Sequence, residues 1–320
     1  MQSAPMKLLA VRRARRTFPT GDPSFAVMQA FPAGFSAVEA DPLLMCDFFG
    51  PAMSEGVSRV DEYPINWHPH RGQAICTYLI EGVGRHADSL GNRETFSAPG
   101  MQWCAVGSGI EHAEAGGTPA GMNTTGFQIW INVPSARKMD TPLYGTVPSE
   151  ALAAVALPGG VSARVLAGPL GGVRGPFETV QPVEIVHYEL PAGASVTHEV
   201  GALLDNALVY VFRGGVAVGG AAAADASIPV HGVARFDASD AAARALTLTA
   251  GGAGAGLMVF AGKMLKQPIA WHGPVVMTTD AEVRKAFAEM QSGDFPPVRT
   301  AWDYKRLDAF PADHPARKST

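Results

Sequence analysis

The chain has 320 residues, 47% of them hydrophobic and 17% charged, with a formal net charge of −4. That is apolar material for two domains of ordinary size and too much for a disordered chain. The slightly negative balance gives no electrostatic footprint for direct nucleic-acid binding, and no apolar run approaches a membrane span in length, so neither partner is expected.

In chain order, Met6-Lys7-Leu8-Leu9-Ala10-Val11 precedes Arg12, Arg13, Arg15 and Arg16, the reverse of a signal peptide's order. With no interleaved aromatics, these arginines read as solvated residues around an early strand. Cys46, Cys76 and Cys104 make no pairwise framework and imply a reducing, cytoplasmic setting. From Phe25 to Pro51 short strands alternate with Gly and Pro turns, the pattern of a sandwich or barrel.

The stretch from Trp67 to Glu114 concentrates the chemistry. It opens with His68-Pro69-His70-Arg71-Gly72 and closes with Ile110-Glu111-His112-Ala113-Glu114. On a strand, residues i and i+2 share a face. Two such strands brought together in a barrel would aim three imidazoles and one carboxylate at a single interior point. The same parity, continued, turns Gly72, Ala74, Cys76 and Tyr78 inward. Between the two motifs, Ile75-Cys76-Thr77-Tyr78-Leu79-Ile80 is a β-branched and aromatic run ending at Gly82. Ser89-Leu90-Gly91-Asn92 and Pro99-Gly100 are turns. Nitrogen and oxygen ligands without thiolate suit iron, manganese, nickel or copper, and zinc less exclusively. The spacing is not that of a helical zinc protease, which needs His at i and i+4.

A first barrel is expected over residues 1–134, closing with Phe127-Gln128-Ile129-Trp130-Ile131-Asn132-Val133. A connection over 135–157 follows, with a short helix over Ser149–Val155. A second barrel is expected over 158–320 as a decayed copy of the first. Leu208-Val209-Tyr210-Val211-Phe212-Arg213-Gly214 echoes Cys76–Gly82, and Leu257–Gly262 echoes Phe127–Val133. The counterpart of the first histidine motif is Val196-Thr197-His198, and no HxE follows it in this half, so it is expected to hold no metal. His187, His198, His231 and His272 read as structural or surface residues. Gly219–Ala224 and Gly251–Gly256 read as loops. Thr279-Asp280-Ala281-Glu282 is a capping box. Val283, Ala286, Phe287 and Met290 then recur at helical spacing, predicting an amphipathic helix over 280–292 that ends at Gly293. The polar tail after Trp302, with His314-Pro315-Ala316-Arg317-Lys318, is expected to be loosely ordered.

The quoted motifs, together with His86-Ala87-Asp88-Ser89-Leu90-Gly91-Asn92, Met101-Gln102-Trp103, Asp47-Phe48-Phe49-Gly50-Pro51 and Gly273-Pro274-Val275-Val276-Met277, resemble the pirin family of the cupin superfamily. The resemblance covers most of the chain and is thin over residues 149–183 and 214–256. It implies an all-β bicupin: two stacked double-stranded β-helix (jelly-roll) barrels with a short C-terminal helix. It also implies His68, His70, His112 and Glu114 as metal ligands and iron (Fe2+/Fe3+) as the metal, with nickel, copper, manganese or zinc able to substitute. Most pirins carry an acidic residue where Ala74 stands, so a supporting carboxylate is expected to be lost here.

Four protein ligands on an octahedral ion leave two open positions, which distinguish a reacting metal from a structural one. Bacterial pirins resemble quercetin 2,3-dioxygenases, which implies cleavage of quercetin or a related flavonol or catechol. Glu114 is the candidate base. The alternative is a non-enzymatic, iron-binding, redox-responsive regulator of a transcription factor or metabolic enzyme, with the surface around Arg71 read by a protein partner. The expected partners are a small aromatic substrate or that protein, and the chain is expected to act as a monomer.

Overall fold

In a computed structural model of the chain, residues 3–19, 21, 25–50, 65–116, 124–219 and 226–306 are described. Pro51, residues 220–224 of one small-residue tract and the tail from 307 onward lie outside the described residues. No described helix is long and apolar enough to cross a membrane. The three cysteines are free and buried.

The architecture is two β-barrels of the double-stranded β-helix type plus one short C-terminal helix. By packing, one unit gathers Met1–Thr17, Met28–Phe48 and Glu150–Lys266; the other gathers Phe18–Val27, Phe49–Ser149 and Gln267–Thr320. This division differs from the linear one expected at residues 134 and 158, because strand and helix partners are distant in sequence. Lys7–Arg13 runs antiparallel to Gly232–Asp237. The terminal helix packs in the unit that carries the histidine motifs. The expected short helix after Ser149 is a single 3-10 turn, Ser149–Leu152.

The motif-bearing unit contains β1 (Ile65–His70), β2 (Gln73–Glu81), β3 (Val83–Asp88), β4 (Arg93–Ser97), β5 (Gly100–Ala105), β6 (Ile110–Gly116), β7 (Thr125–Asn132) and β8 (Leu143–Val147). β9 (Ala270–His272), β10 (Val275–Met277) and helix α1 (Asp280–Ser292) follow. One sheet runs β1-β6-β3-β4; the facing one contains β8-β5-β2-β7. The chain leaves the first sheet and enters the second at Arg71-Gly72. Gly72 has φ +88°, and a Cβ there would meet Val276 O at 2.2 Å, so only glycine makes this passage. The crossing resets the side-chain alternation. Thr77 and Gln73 face the histidine motifs, and Ile75 clusters with Cys104 and Ile110 inside the barrel. The inward set expected from unbroken parity, Gly72, Ala74, Cys76 and Tyr78, is therefore corrected to Gln73, Ile75 and Thr77. Cys76 lies on the other face, its sulfur 3.8 Å from that of Met101.

The repeat read in the sequence reappears as strand pairing. In this unit β2 pairs antiparallel with β7, Ile129 opposite Cys76 and Phe127 opposite Tyr78. In the other unit Asn206–Val218 pairs with Ala243–Gly262, Leu208 opposite Phe260 and Tyr210 opposite Met258. The echoed runs end at glycines of positive φ, Gly82 at 86° and Gly214 at 70°. The second unit's core is apolar, built on Val186, Val209, Val211, Leu248, Leu257 and Val259. Within it His198 has both ring nitrogens engaged, Nδ1 by Tyr188 Oη at 2.8 Å and Nε2 by Glu184 Oε2 at 3.2 Å.

Helix α1 begins with the expected capping box, Thr279 to Glu282, and stops at Gly293 in the left-handed region. Val283 and Ala286 pack on Ala270, Val275 and Met277, with Phe287 and Met290 at the edge. Arg71, expected at a partner-reading surface, is instead 2% exposed. Its Nε donates to Ser108 O at 2.7 Å and one terminal nitrogen to Glu289 Oε2 on α1 at 2.5 Å, while the guanidinium lies 5.0 Å over the Phe295 ring. Glu289→Ala leaves that buried cation without its charge partner, an expense of roughly 3–5 kcal/mol for a fully buried pair. The Glu289 side chain is 25% exposed, so the expected loss in urea denaturation is at the lower end, about 3 kcal/mol. A loss below about 1 kcal/mol would mean that Ser108 and Phe295 hold the charge alone. A second buried cation, Lys138, spends its ammonium on Gly72 O, Asn132 Oδ1 and Val276 O, fixing the same crossing. Of the tail, residues 303–306 are described: Tyr304 is buried against Trp67, and its hydroxyl donates to Glu111.

Candidate metal centre

β1 and β6 run antiparallel with His68 opposite His112 and Ile110 opposite His70. His68 and His70, at i and i+2, share a face, and their rings lie 4.8 Å apart. The His112 ring is 4.3 Å from His68 and 4.8 Å from His70. One ligand atom from each of the three lies within 4.8 Å of the others. His68 is half-buried, whereas His70 and His112 are buried, so the cluster opens on the His68 side.

A bulge follows His112, and Glu114 pairs with Ile65. Its Oε2 comes to 3.9 Å from His112 Nε2. Ligands of one ion at roughly 2.0–2.2 Å lie about 3–4 Å from each other, so this spacing suits a fourth donor. Three side chains hold the carboxylate: Thr77 Oγ1 and Gln102 Nε2 donate to Oε1 at 3.1 and 2.8 Å, and Gln128 Nε2 to Oε2 at 3.0 Å. His68 Nδ1 faces Asn66 O at 2.7 Å and His70 Nδ1 faces Pro274 O at 3.3 Å, which leaves their Nε2 lone pairs for a ligand. His68 Nε2 and His112 Nε2 stand 2.9 Å apart, and His112 Nδ1 is buried with no partner among the described residues. Converging lone pairs of this kind are stabilised by a shared cation, so the residues fit the implied metal.

Residues 24–131 match the Pirin family, and residues 185–296 match its C-terminal cupin domain. The chain belongs to the pirin family. This pirin is 32% identical over 265 residues to a pirin-like protein of Caulobacter vibrioides, covering 80% of this chain and 87% of that one. A Pseudomonas aeruginosa relative, 32% identical over 81% of this chain and 88% of its own, carries the provisional name quercetin 2,3-dioxygenase. Among solved structures, an Acinetobacter baumannii quercetin 2,3-dioxygenase superposes with TM-score 0.80 at 25% identity, covering 92% of this chain and 99% of that one. A bacterial pirin of Escherichia coli, solved in complex with nickel(II), shares the fold with TM-score 0.59 at 19% identity, over 80% and 99% of the two chains.

Burial pushes the His70 and His112 imidazoles well below the usual 6.5, so both stay neutral in mildly acidic solution. Protons then compete for these ligands only well below pH 6.5. Metal affinity of the pirin, followed by chelator competition, is expected to fall less steeply through the ordinary histidine range than three solvated imidazoles would allow. A fall there as steep as three protons competing at once would contradict the burial effect.

The missed residues are the donors to Glu114 and the groups behind His112. Thr77, Gln102 and Gln128 come from three strands, so no local spacing announces them. Ala74, where an acidic partner was expected to be lost, sits on the opposite face from Thr77; Gln73 instead approaches His70 Nδ1 at 3.1 Å. His86 and Asp88 did carry a local signal, an i and i+2 pair within the motif stretch, and they are buried and bonded to each other at 3.0 Å.

Proposed function

We propose that this pirin is a metal-dependent dioxygenase acting on quercetin or a related flavonol or catechol, with His68, His70, His112 and Glu114 as ligands and iron as the ion. The observation that carries the reading is the three-histidine cluster with a caged carboxylate beside it and an opening on one side. The likeness to a solved quercetin 2,3-dioxygenase supports it. When bound, the ion supplies Lewis acidity and a one-electron couple.

The chain's own contributions follow from the geometry. His70 and His112 present neutral imidazoles from the barrel wall, and the half-buried His68 stands at the mouth. Glu114 Oε2, with Gln128 as its one hydrogen-bond donor among the described residues, is the freer oxygen and, once released from the ion, would accept the proton of an acidic substrate hydroxyl. Thr77 and Gln102 anchor Oε1 meanwhile, so that the carboxylate keeps its orientation. Trp130, its ring 5.0 Å from His70, offers an aromatic wall.

The test is oxygen uptake by the iron-loaded protein with quercetin and a panel of catechols. Consumption of dioxygen stoichiometric with loss of flavonol is the expected result. No uptake with any of them would overturn the enzymatic reading in favour of the redox-responsive regulator.

A further inference from the structure

Directly behind His112 lies a second convergence of metal-ligating side chains. His86, Cys104 and His112 are all fully buried, and one ligand atom from each lies within 4.8 Å of the other two. Three strands deliver them: His86 from β3, Cys104 from β5 and His112 from β6.

The hydrogen bonding around His86 fixes its tautomer. His86 Nε2 donates to Asp88 Oδ2 at 3.0 Å. Asp88 is itself held as an acceptor by Leu90 N, Asn92 N and Asn92 Nδ2 at 2.9–3.0 Å. With the proton on Nε2, Nδ1 carries a bare lone pair. It is buried and has no partner among the described residues. A histidine whose far nitrogen is tied to an anchored carboxylate is the arrangement that orients and strengthens metal-ligating imidazoles. The ring is also clamped flat on Tyr144, at 4.3 Å and 13°. His112 offers the matching feature: Nε2 faces His68, while Nδ1, on the opposite side of the ring, is buried and has no partner among the described residues. Cys104 supplies the sulfur, which makes a long contact of 3.8 Å to Gln102 Oε1. A buried nitrogen without a hydrogen-bond partner is costly, so two of them beside a thiol call for an occupant.

We propose that His86, Cys104 and His112 form a second, buried site for a thiophilic cation, zinc or cuprous copper. Two imidazoles and a thiolate are a softer set than the three imidazoles and carboxylate in front of it, so the two sites select different ions. Binding here releases the Cys104 thiol proton. With both sites filled, His112 would also give up its ring proton and serve each site with one of its two nitrogens. The inference stands on the geometry behind His112 and does not depend on the proposed dioxygenase activity.

Because the trio is fully buried, the ion would enter as the chain folds, so the protein is loaded by expression in zinc-supplemented medium or by refolding with Co(II). The expected result is about two metal equivalents per chain and, with Co(II), a thiolate-to-cobalt charge-transfer band. The band persists in His68→Ala, which weakens only the front site, and disappears in Cys104→Ala and in His86→Gln. Absence of the band in the wild-type protein would overturn the proposal without any variant having to fold. So would a band that survives Cys104→Ala. Loss of front-site metal in His68→Ala reports separately on the ligands assigned under the proposed function.

Discussion

Replacing His112 by alanine is expected to strip the pirin of its front-site metal. This side chain is the hub of the cluster: it faces His68 at 2.9 Å, lies 3.9 Å from the Glu114 carboxylate and packs its ring 4.8 Å from that of His70. Removing it leaves a half-exposed imidazole and a buried one with no group between them. Loss of a supporting residue alone typically weakens metal binding by about 10–100-fold, so loss of a central ligand is expected to exceed about 100-fold. Elemental analysis after dialysis checks this, with His272→Ala, an exposed position, as the control that keeps its metal. Unchanged metal content in His112→Ala would remove the ligand assignment altogether.

Glu114→Gln is expected to reduce flavonol turnover by about a thousandfold or more per bound metal, while the three histidines retain part of the ion. The change keeps size and removes charge, so the charged ligand and the candidate base go together. It also breaks one hydrogen bond. Thr77, Gln102 and Gln128 all donate to the carboxylate, and an amide NH2 there meets a donor and turns away. Gln128→Ala, which frees only Oε2, is expected to cost about 10–100-fold. Oxygen uptake normalised to metal content separates these outcomes. A Glu114→Gln enzyme within about threefold of wild type would exclude the carboxylate as base.

Much of the fold was legible because strands and turns announce themselves locally. The two echoed strand pairs and the capping box at Thr279 are short-range patterns, and each forms the expected element. The pairing of motif strands was legible for a similar reason, since i and i+2 alternation within one strand is independent of context. It failed at Gly72, where a single positive-φ residue passes the chain between sheets and inverts the parity of everything after it. Arg71 was misread for a related reason. A guanidinium beside a metal motif looks like surface until Glu289, more than two hundred residues onward, comes back to bury it. The domain division departs from sequence order because Lys7–Arg13 finds its partner strand at Gly232–Asp237. No local pattern could show that.

His70 and Arg71 are neighbours on one backbone. One points its imidazole at the cluster, and the other runs its guanidinium to helix α1. A ligand that fixes His70 therefore narrows the motion of the anchor to which α1 is moored. Thermodynamic linkage requires the reverse as well: whatever tightens the mooring raises affinity for the ion. Occupancy of the proposed site is therefore expected to show at a distance, as slower exchange of the amides of Asp280–Ser292 in deuterated solvent, with the helix as its gauge.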